Sequence, residues 1–160
     1  MAFIMMSVVC VSLSACGSDD DGDGGGGGSA GMAGLWKMYY ERDARYDKDA
    51  SGQWQVSRDT EREYADNEGS HGFLFDAAGN AKLLTNIKSD GTYQLESQHD
   101  PDFKYKISGG KLFIMSTNDR DTDGWEDMGQ ITITGNTFEL SYEEIDGSRK
   151  YIEVARYKKI

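Results

Sequence analysis

The chain has 160 residues, which is enough for one folded domain of ordinary size with a single core. Its formal net charge of -11 at pH 7 argues against a nucleic-acid-binding protein, because phosphates need Lys and Arg in excess. The same acidity disfavours passive adsorption to anionic membrane surfaces. The only two cysteines are Cys10 and Cys16, so the region that follows them must be held together by packing without a disulfide.

An apolar run from Ala2 to Leu13 opens the chain. It has the length of a signal-peptide core, about 7–15 residues, and is too short to span a bilayer. The run leads into Leu13-Ser14-Ala15-Cys16. Two small residues directly before a cysteine resemble the lipobox of bacterial lipoprotein precursors. The resemblance implies cleavage before Cys16, acylation of Cys16 and attachment to a membrane. Residues 1–15 contain no Lys or Arg, so the basic start of such signals is missing, and an ordinary cleaved signal with a chance cysteine is the alternative.

Residues 17–33 consist almost entirely of Gly, Ser, Asp and Ala. Such a composition has too little to bury and predicts a flexible tether with a reach of about 20–25 Å. The acidic segment Ser18-Asp19-Asp20-Asp21 resembles the export signal of surface lipoproteins in some Gram-negative bacteria. The expected organisation is therefore a signal peptide (1–15), a lipidated cysteine and tether (16–33) and a folded domain (34–160). The expected location is the outer membrane, at the cell surface or facing the periplasm; a plain solvated linker is the alternative for the acidic segment.

From Gly34 onward the pattern becomes short strands of alternating apolar residues, separated by turns that contain Gly and Asn. No long stretch has a helical period. The predicted strands cover residues 35–41, 54–56, 72–76, 81–87, 92–97, 103–107, 112–116, 129–134, 137–144 and 149–158. Consecutive strands joined by tight turns favour an all-β domain that closes into a small antiparallel up-and-down β-barrel of about eight strands, because closure removes exposed edges.

Residues 41–68 interrupt this pattern with nine acidic and five basic side chains and few apolar ones. We expect this segment to be a solvated excursion or lid that contributes little to the core. A short helical turn is predicted at residues 60–65.

The tripeptide Gly34-Leu35-Trp36 resembles the G-x-W signature of the lipocalins, and the order of hairpins and the aromatic, basic last strand extend the likeness. The nearest likeness is to the lipocalin-like domains of bacterial lipoproteins. The resemblance implies that Trp36 plugs the closed end of the barrel and that Arg156 packs across it. The alternative is that Trp36 is an ordinary core residue and Arg156 a solvated one.

The resemblance also implies a ligand at the open mouth of the barrel. Tyr40, Tyr93, Tyr105 and Tyr142 are predicted to stand at its rim. The residues predicted to face inward are large and mostly aromatic, so a filled barrel and a barrel with a deep cavity both remain open. They are Trp36, Met38, Tyr40, Phe73, Phe75, Tyr93, Leu95, Phe103, Tyr105, Ile107, Leu112, Ile114, Ile131, Ile133, Phe138, Leu140, Tyr142, Ile152 and Val154.

An acidic loop carries the sharpest local motif. Asp119, Asp121 and Asp123 occupy alternate positions before a glycine, and Asp127 follows at position 9, as in a calcium-binding loop. Position 12 is Gln130 where the motif requires a bidentate Glu. The sequence therefore predicts at most weak calcium binding, and an acidic hairpin loop without a cation is the alternative.

The chain offers no catalytic motif. Its only histidines, His71 and His99, are not accompanied by Cys or carboxylates at ligand spacing, and no nucleophile elbow, zinc-protease motif or phosphate-binding loop occurs. We therefore expect a protein that is not an enzyme. The leading hypothesis is a lipid-anchored envelope protein whose lipocalin-like barrel binds a small, partly apolar ligand. The alternative is a surface interaction module with a filled barrel whose acidic loops bind a protein or glycan.

Overall fold

The computed structural model describes residues 31–95, 103–117 and 124–160, and within these ranges the protein is all-β. No helix in these ranges is long and apolar enough to cross a membrane. The strands are β1 (Gly34–Lys48), β2 (Trp54–Glu63), β3 (Ser70–Phe75), β4 (Asn80–Ile87), β5 (Gln94–Leu95), β6 (Phe103–Ser108), β7 (Lys111–Ser116), β8 (Glu126–Thr134), β9 (Thr137–Asp146) and β10 (Arg149–Lys159).

Eight of these strands close into an antiparallel barrel. The first strand β1 pairs with β3 on one side and with the last strand β10 on the other, and the ring runs β1-β3-β4-β6-β7-β8-β9-β10. Two strands lie outside the ring: β2 pairs with β1, and β5 pairs with β4. The predicted fold is therefore confirmed.

The barrel interior is filled by interlocked aromatic side chains. Trp36 is fully buried, its ring meets Phe138 edge-on at 4.9 Å, and its Nε1 donates a hydrogen bond to the Met32 carbonyl at 2.6 Å. Phe138 in turn stacks on Tyr157 at 4.4 Å between ring centres. Phe73, Phe75 and Tyr105 continue the same cluster. Side chains of this size leave the core of a small barrel without room for a deep ligand chamber.

The glycine before this tryptophan is required by packing. Gly34 has a φ of +134°, and a Cβ there would lie 2.4 Å from Cε of Lys159. A side chain at this position would be strained by the positive φ and would force the end of the Lys159 side chain to move.

The acidic segment 41–68 differs from its prediction. Residues up to Lys48 continue β1, and residues 54–63 form β2, so the segment is a regular hairpin with no helical turn at 60–65. The predicted solvent exposure is confirmed for β2, which is exposed along almost its whole length, whereas residues 41–47 of β1 are half-buried and Ala44 is fully buried. The hairpin belongs to a second structural feature, which lies beyond the barrel rim.

Candidate functional site

Four strands run past the rim of the barrel and form a projecting sheet, which we call the arm. It consists of residues 40–48 of β1, all of β2, residues 141–146 of β9 and residues 149–155 of β10. It exists because β1, β9 and β10 are longer than the strands opposite them, and β8 pairs with β9 only as far as Ser141. Directly opposed residues of an antiparallel pair point to the same face, so the register assigns every arm residue to one of two faces.

The inner face of the arm continues the barrel interior. Going outward from the rim, its rows are Glu41, Arg62 and Ala155, then Asp43, Thr60, Glu153 and Tyr142, then Arg45, Arg58, Tyr151 and Glu144. Two adjoining grooves of about 460 Å³ and 580 Å³ lie along it. Both grooves are lined by Asp43, Arg58 and Glu153, so they form one continuous feature, which we call the arm groove.

A polar cluster stands where the arm groove meets the core. The Tyr64 hydroxyl donates a hydrogen bond to Glu41 Oε1 at 2.7 Å, and the Arg62 guanidinium lies 4.3 Å from the centre of the Tyr64 ring. Burial first, and the neighbouring Glu41 carboxylate second, raise the pKa of Tyr64 to about 12. The inner end of the groove is therefore half apolar and half hydrogen-bonding, as in sites that bind amphiphilic molecules.

Tyr157 lies beneath this cluster, with only 7% of its surface exposed. Burial raises the pKa of Tyr157, and Glu41 and Tyr64 raise it further, so its hydroxyl stays protonated and faces the same polar cluster. Among the described residues, no group forms a hydrogen bond with that hydroxyl. Buried polar groups are nearly always satisfied, so an unpaired one needs an explanation.

The middle of the arm groove holds two carboxylates that face each other. Asp43 and Glu153 are direct cross-strand partners between β1 and β10. The Arg58 guanidinium approaches Asp43 only to 3.7 Å. Within the described part of the chain, no cation comes within ion-pair distance of Glu153. Like charges in direct opposition destabilise a strand pair, so this arrangement costs free energy in the empty groove.

The outer face of the arm is different in character near its tip. One row across all four strands consists of Val56, Tyr46, Lys150 and Ile145. The two aliphatic side chains, Val56 and Ile145, are 59% and 58% exposed. Lys150 Nζ lies 4.9 Å from the centre of the Tyr46 ring. This row is an exposed apolar patch interrupted by a cation, of the kind found at contact surfaces.

The four tyrosines predicted at the barrel mouth do not converge. Tyr105 is buried and its hydroxyl donates to the Asp76 carbonyl, in the β3–β4 turn at the closed end. Tyr93 is exposed in the segment before β5, and Tyr40 points to the outer surface. Only Tyr142 lies in the arm groove, as the cross-strand partner of Glu153.

The predicted pairing of Arg156 with Trp36 is also corrected. Trp36 faces Lys159 across the β1–β10 ladder, and Lys159 Nζ lies 5.4 Å from the centre of the indole ring. Arg156 points outward, where it lies over Tyr40 at 4.5 Å and forms an ion pair with Glu139 at 2.7 Å. The burial of Trp36 at the closed end stands as predicted.

Most of the predicted calcium loop lies outside the described residues, including Asp119, Asp121 and Asp123. Asp127 is described, and its carboxylate is already engaged: Lys111 Nζ lies 2.6 Å from Oδ2, and the Gly129 amide donates to Oδ1. Lys111 holds the pKa of this carboxyl below its usual range. Among the described residues no group of three or more Asp, Glu, His or Cys could hold a metal ion. The predicted lipidation site Cys16 also lies outside the described residues.

Sequence reasoning missed the residues that build the arm groove. Asp43, Arg58 and Glu153 belong to charged stretches that carry no motif, and Tyr64 and Tyr157 have no unusual neighbours in the chain. A usable signal was present in β1. From Glu41 onward, every second residue is charged, and the residues between them are Arg42, Ala44 and Tyr46. This alternation is the period of a strand with two different faces.

Comparison with known proteins agrees with this architecture. No curated protein and no solved structure gives a match to the chain. The lipocalin-like domain family matches residues 32–140, which is more than half of the chain and includes Trp36, six of the eight barrel strands in full and the first residues of β9. Domains of this type are associated with the binding of small ligands in general. The chain belongs to the lipocalin-like domain family.

Proposed function

We propose that this protein binds a small, partly apolar ligand in the arm groove at the open mouth of its barrel. The observation that carries the proposal is the continuity of the groove with the core: its inner end is lined by Ala155, which packs against the buried cluster, and by Glu41, which accepts a hydrogen bond from Tyr64 of the same cluster. An apolar portion of a ligand gains free energy by covering these groups, and the charged rows further out orient its polar end. No catalytic step is part of this proposal.

The filled barrel favours the groove over the interior as the binding site. Some barrels of this size hold a ligand in their interior. Here the interior holds three aromatic rings in contact, those of Phe73, Tyr157 and Phe138. A ligand would have to separate these rings to enter. The arm groove requires no such rearrangement.

The test is a titration with 1-octanol, a neutral eight-carbon alcohol, followed by amide chemical shifts. We expect shifts at Tyr64, Tyr151 and Ala155, and none at the Trp36 indole NH. Ala155→Phe should fill the inner end of the groove and abolish the shifts. Ile152→Phe, on the outer face of the same strand opposite Ala44, is the matched control and should leave them in place. Shifts confined to the outer face or to the closed end, or no shifts at all, would contradict the proposal.

We also propose that the protein acts from a membrane, anchored through an acylated Cys16 in the cell envelope. The chain enters the barrel beside Trp36 at the closed end, and β1 then runs 15 residues away from that point. At strand rise this is roughly 50 Å, so the arm of an anchored protein would point away from the membrane. That orientation suits capture of a ligand from the surroundings.

A second candidate function is a surface interaction module, and the outer tip of the arm favours it. The exposed row of Val56, Tyr46, Lys150 and Ile145 offers apolar contact area that the ligand groove does not use. The test is capture of an envelope protein by the wild type beside a Val56→Glu, Ile145→Glu variant. A partner retained by both proteins, or by neither, would count against this surface.

A further inference from the structure

We propose that the ligand of the arm groove is an amine, whose ammonium group lies between Asp43 and Glu153, and whose uncharged body reaches inward to the Tyr157 hydroxyl. This inference rests on the proposed function, since it concerns the same groove. It names the chemistry that the groove selects.

The first argument is the charge balance of the inner face. Each of the four arginines there already has a carboxylate: Arg45 and Arg149 share Asp47 at 3.0 and 3.9 Å, Arg62 meets Glu68 at 2.5 Å, and Arg58 meets Asp43 at 3.7 Å. An anionic ligand would compete with these carboxylates for the guanidinium groups. A cationic ligand meets no such competition at Glu153.

The second argument is the opposition of Asp43 and Glu153. Directly opposed residues have Cβ atoms about 4.5–5.5 Å apart, which is close enough for one ammonium group to contact both carboxylates. Their repulsion raises the free energy of the empty protein, and a cation between them removes it. An ammonium group offers three donors, enough for both carboxylates and the hydroxyl of Thr60 in the same row.

The third argument is independent of charge and comes from the inner end of the groove. The Tyr157 hydroxyl is buried and has no hydrogen-bond partner among residues 31–95, 103–117 and 124–160. Tyr157 and Glu153 lie four residues apart on β10, so roughly 13 Å separates the two positions. A ligand of this length, with an ammonium at one end and a hydroxyl or carbonyl at the other, pairs with Glu153 in the groove and with the Tyr157 hydroxyl one row beneath Ala155 at its inner end.

The experiment compares octylamine, 1-octanol and octanoate, which share a chain length and differ in charge, on the full chain by calorimetry and amide chemical shifts at low salt. Octylamine should bind most tightly and octanoate least. The double variant Asp43→Asn, Glu153→Gln should weaken octylamine binding roughly three- to tenfold and leave 1-octanol unchanged, as expected for partly exposed charge pairs. Glu143→Gln removes one negative charge from the outer face of β9 and is the control for a general effect of charge; it should leave octylamine binding unchanged.

A fourth probe, 8-amino-1-octanol, examines the inner end. It should bind more tightly than octylamine to the wild type, and this advantage should vanish in Tyr157→Phe. An equal advantage in both proteins, or none in the wild type, would overturn the role of Tyr157.

The outcomes separate the two levels of the argument. If 1-octanol occupies the groove but octylamine binds no more tightly than octanoate, the amine preference is wrong and the binding function stands. The same holds if the double variant binds octylamine as the wild type does. If none of the probes shifts the groove residues, the proposed function fails together with this inference.

Discussion

Replacing Trp36 with alanine should remove a large share of the stability of this domain. The side chain is fully buried, donates a 2.6 Å hydrogen bond to the Met32 carbonyl and meets Phe138 edge-on. Truncation of a buried Trp typically costs about 3–5 kcal/mol, against a total stability of about 5–15 kcal/mol for an ordinary domain. With a urea m-value of about 2 kcal/mol per M, the unfolding midpoint should fall by about 1.5–2.5 M.

Two further variants separate the causes of this loss. Trp36→Phe keeps most of the ring volume but leaves the Met32 carbonyl without its donor, so it should cost about 1 kcal/mol, or about 0.5 M in the midpoint. Trp54→Ala removes a half-buried ring on the outer face of the arm, over which Lys48 lies at 4.8 Å and Lys150 at 5.9 Å. It should shift the midpoint far less than Trp36→Ala. Small and equal shifts for Trp36→Ala and Trp54→Ala would refute the assignment of Trp36 to the closed end.

Three other predictions concern the anchor, the arm tip and the acidic loop. Cys16→Ser should move the protein from the membrane fraction to the soluble fraction and abolish incorporation of labelled fatty acid; a variant that still pellets with membranes would contradict the anchor. The Asp49 carboxylate accepts hydrogen bonds from Ser51 and from the backbone beyond it, which lower its pKa from 3.8 to about 2. The ionised Asp49 carboxylate therefore stabilises the β1–β2 turn above about pH 4, and this stabilisation is lost as the pH falls through 2. The chemical shift of the Ser51 amide should titrate near pH 2 in the wild type and should not change with pH in Asp49→Asn. The acidic loop after β7 should bind calcium with a dissociation constant on the order of 0.1–1 mM, and a calorimetric titration that is flat, or unchanged in an Asp121→Asn, Asp123→Asn variant, would exclude the site.

The barrel itself could be predicted from the sequence because its signals are local. Tight turns with glycine, such as the one at Gly79, separate runs of alternating apolar residues, and this pattern defines both the strands and their inward faces. Trp36, Phe75 and Phe138 are buried as expected. Closure between β1 and β10 followed from the need to remove two exposed edges.

The predicted rim failed at Tyr40 for a specific reason. Strict alternation puts Trp36, Met38 and Tyr40 on one face of β1, but the ladder with β10 has a β-bulge between Met38 and Tyr40. One extra residue reverses the side to which every later side chain points. Tyr40 therefore turns outward and meets Arg156, which the resemblance to lipocalins had paired with Trp36. A bulge depends on the partner strand and has no signature in β1 alone.

The arm was not predicted from the sequence, for a different reason. Its first strand carries charged residues on the inner face and mixed residues on the outer face, so no apolar period marks it as a strand. The arm forms because β10 supplies Ile152 and Val154 opposite Ala44 and Arg42, and this pairing is a contact across more than 100 residues of chain. Charged edges such as β2 also protect an extended sheet from pairing with another molecule.

The limits of the family match show where the properties of this protein are decided. The match ends at residue 140, before the whole arm segment of β9 and before all of β10. Glu153, Ala155 and Tyr157 therefore lie beyond the part of the chain that the family describes, while Asp43 lies within it. The association with small ligands in general follows from the shared region. A preference for an amine requires β10 to place Glu153 opposite Asp43, so it must be derived from this chain's own strand register and tested on this chain's own residues.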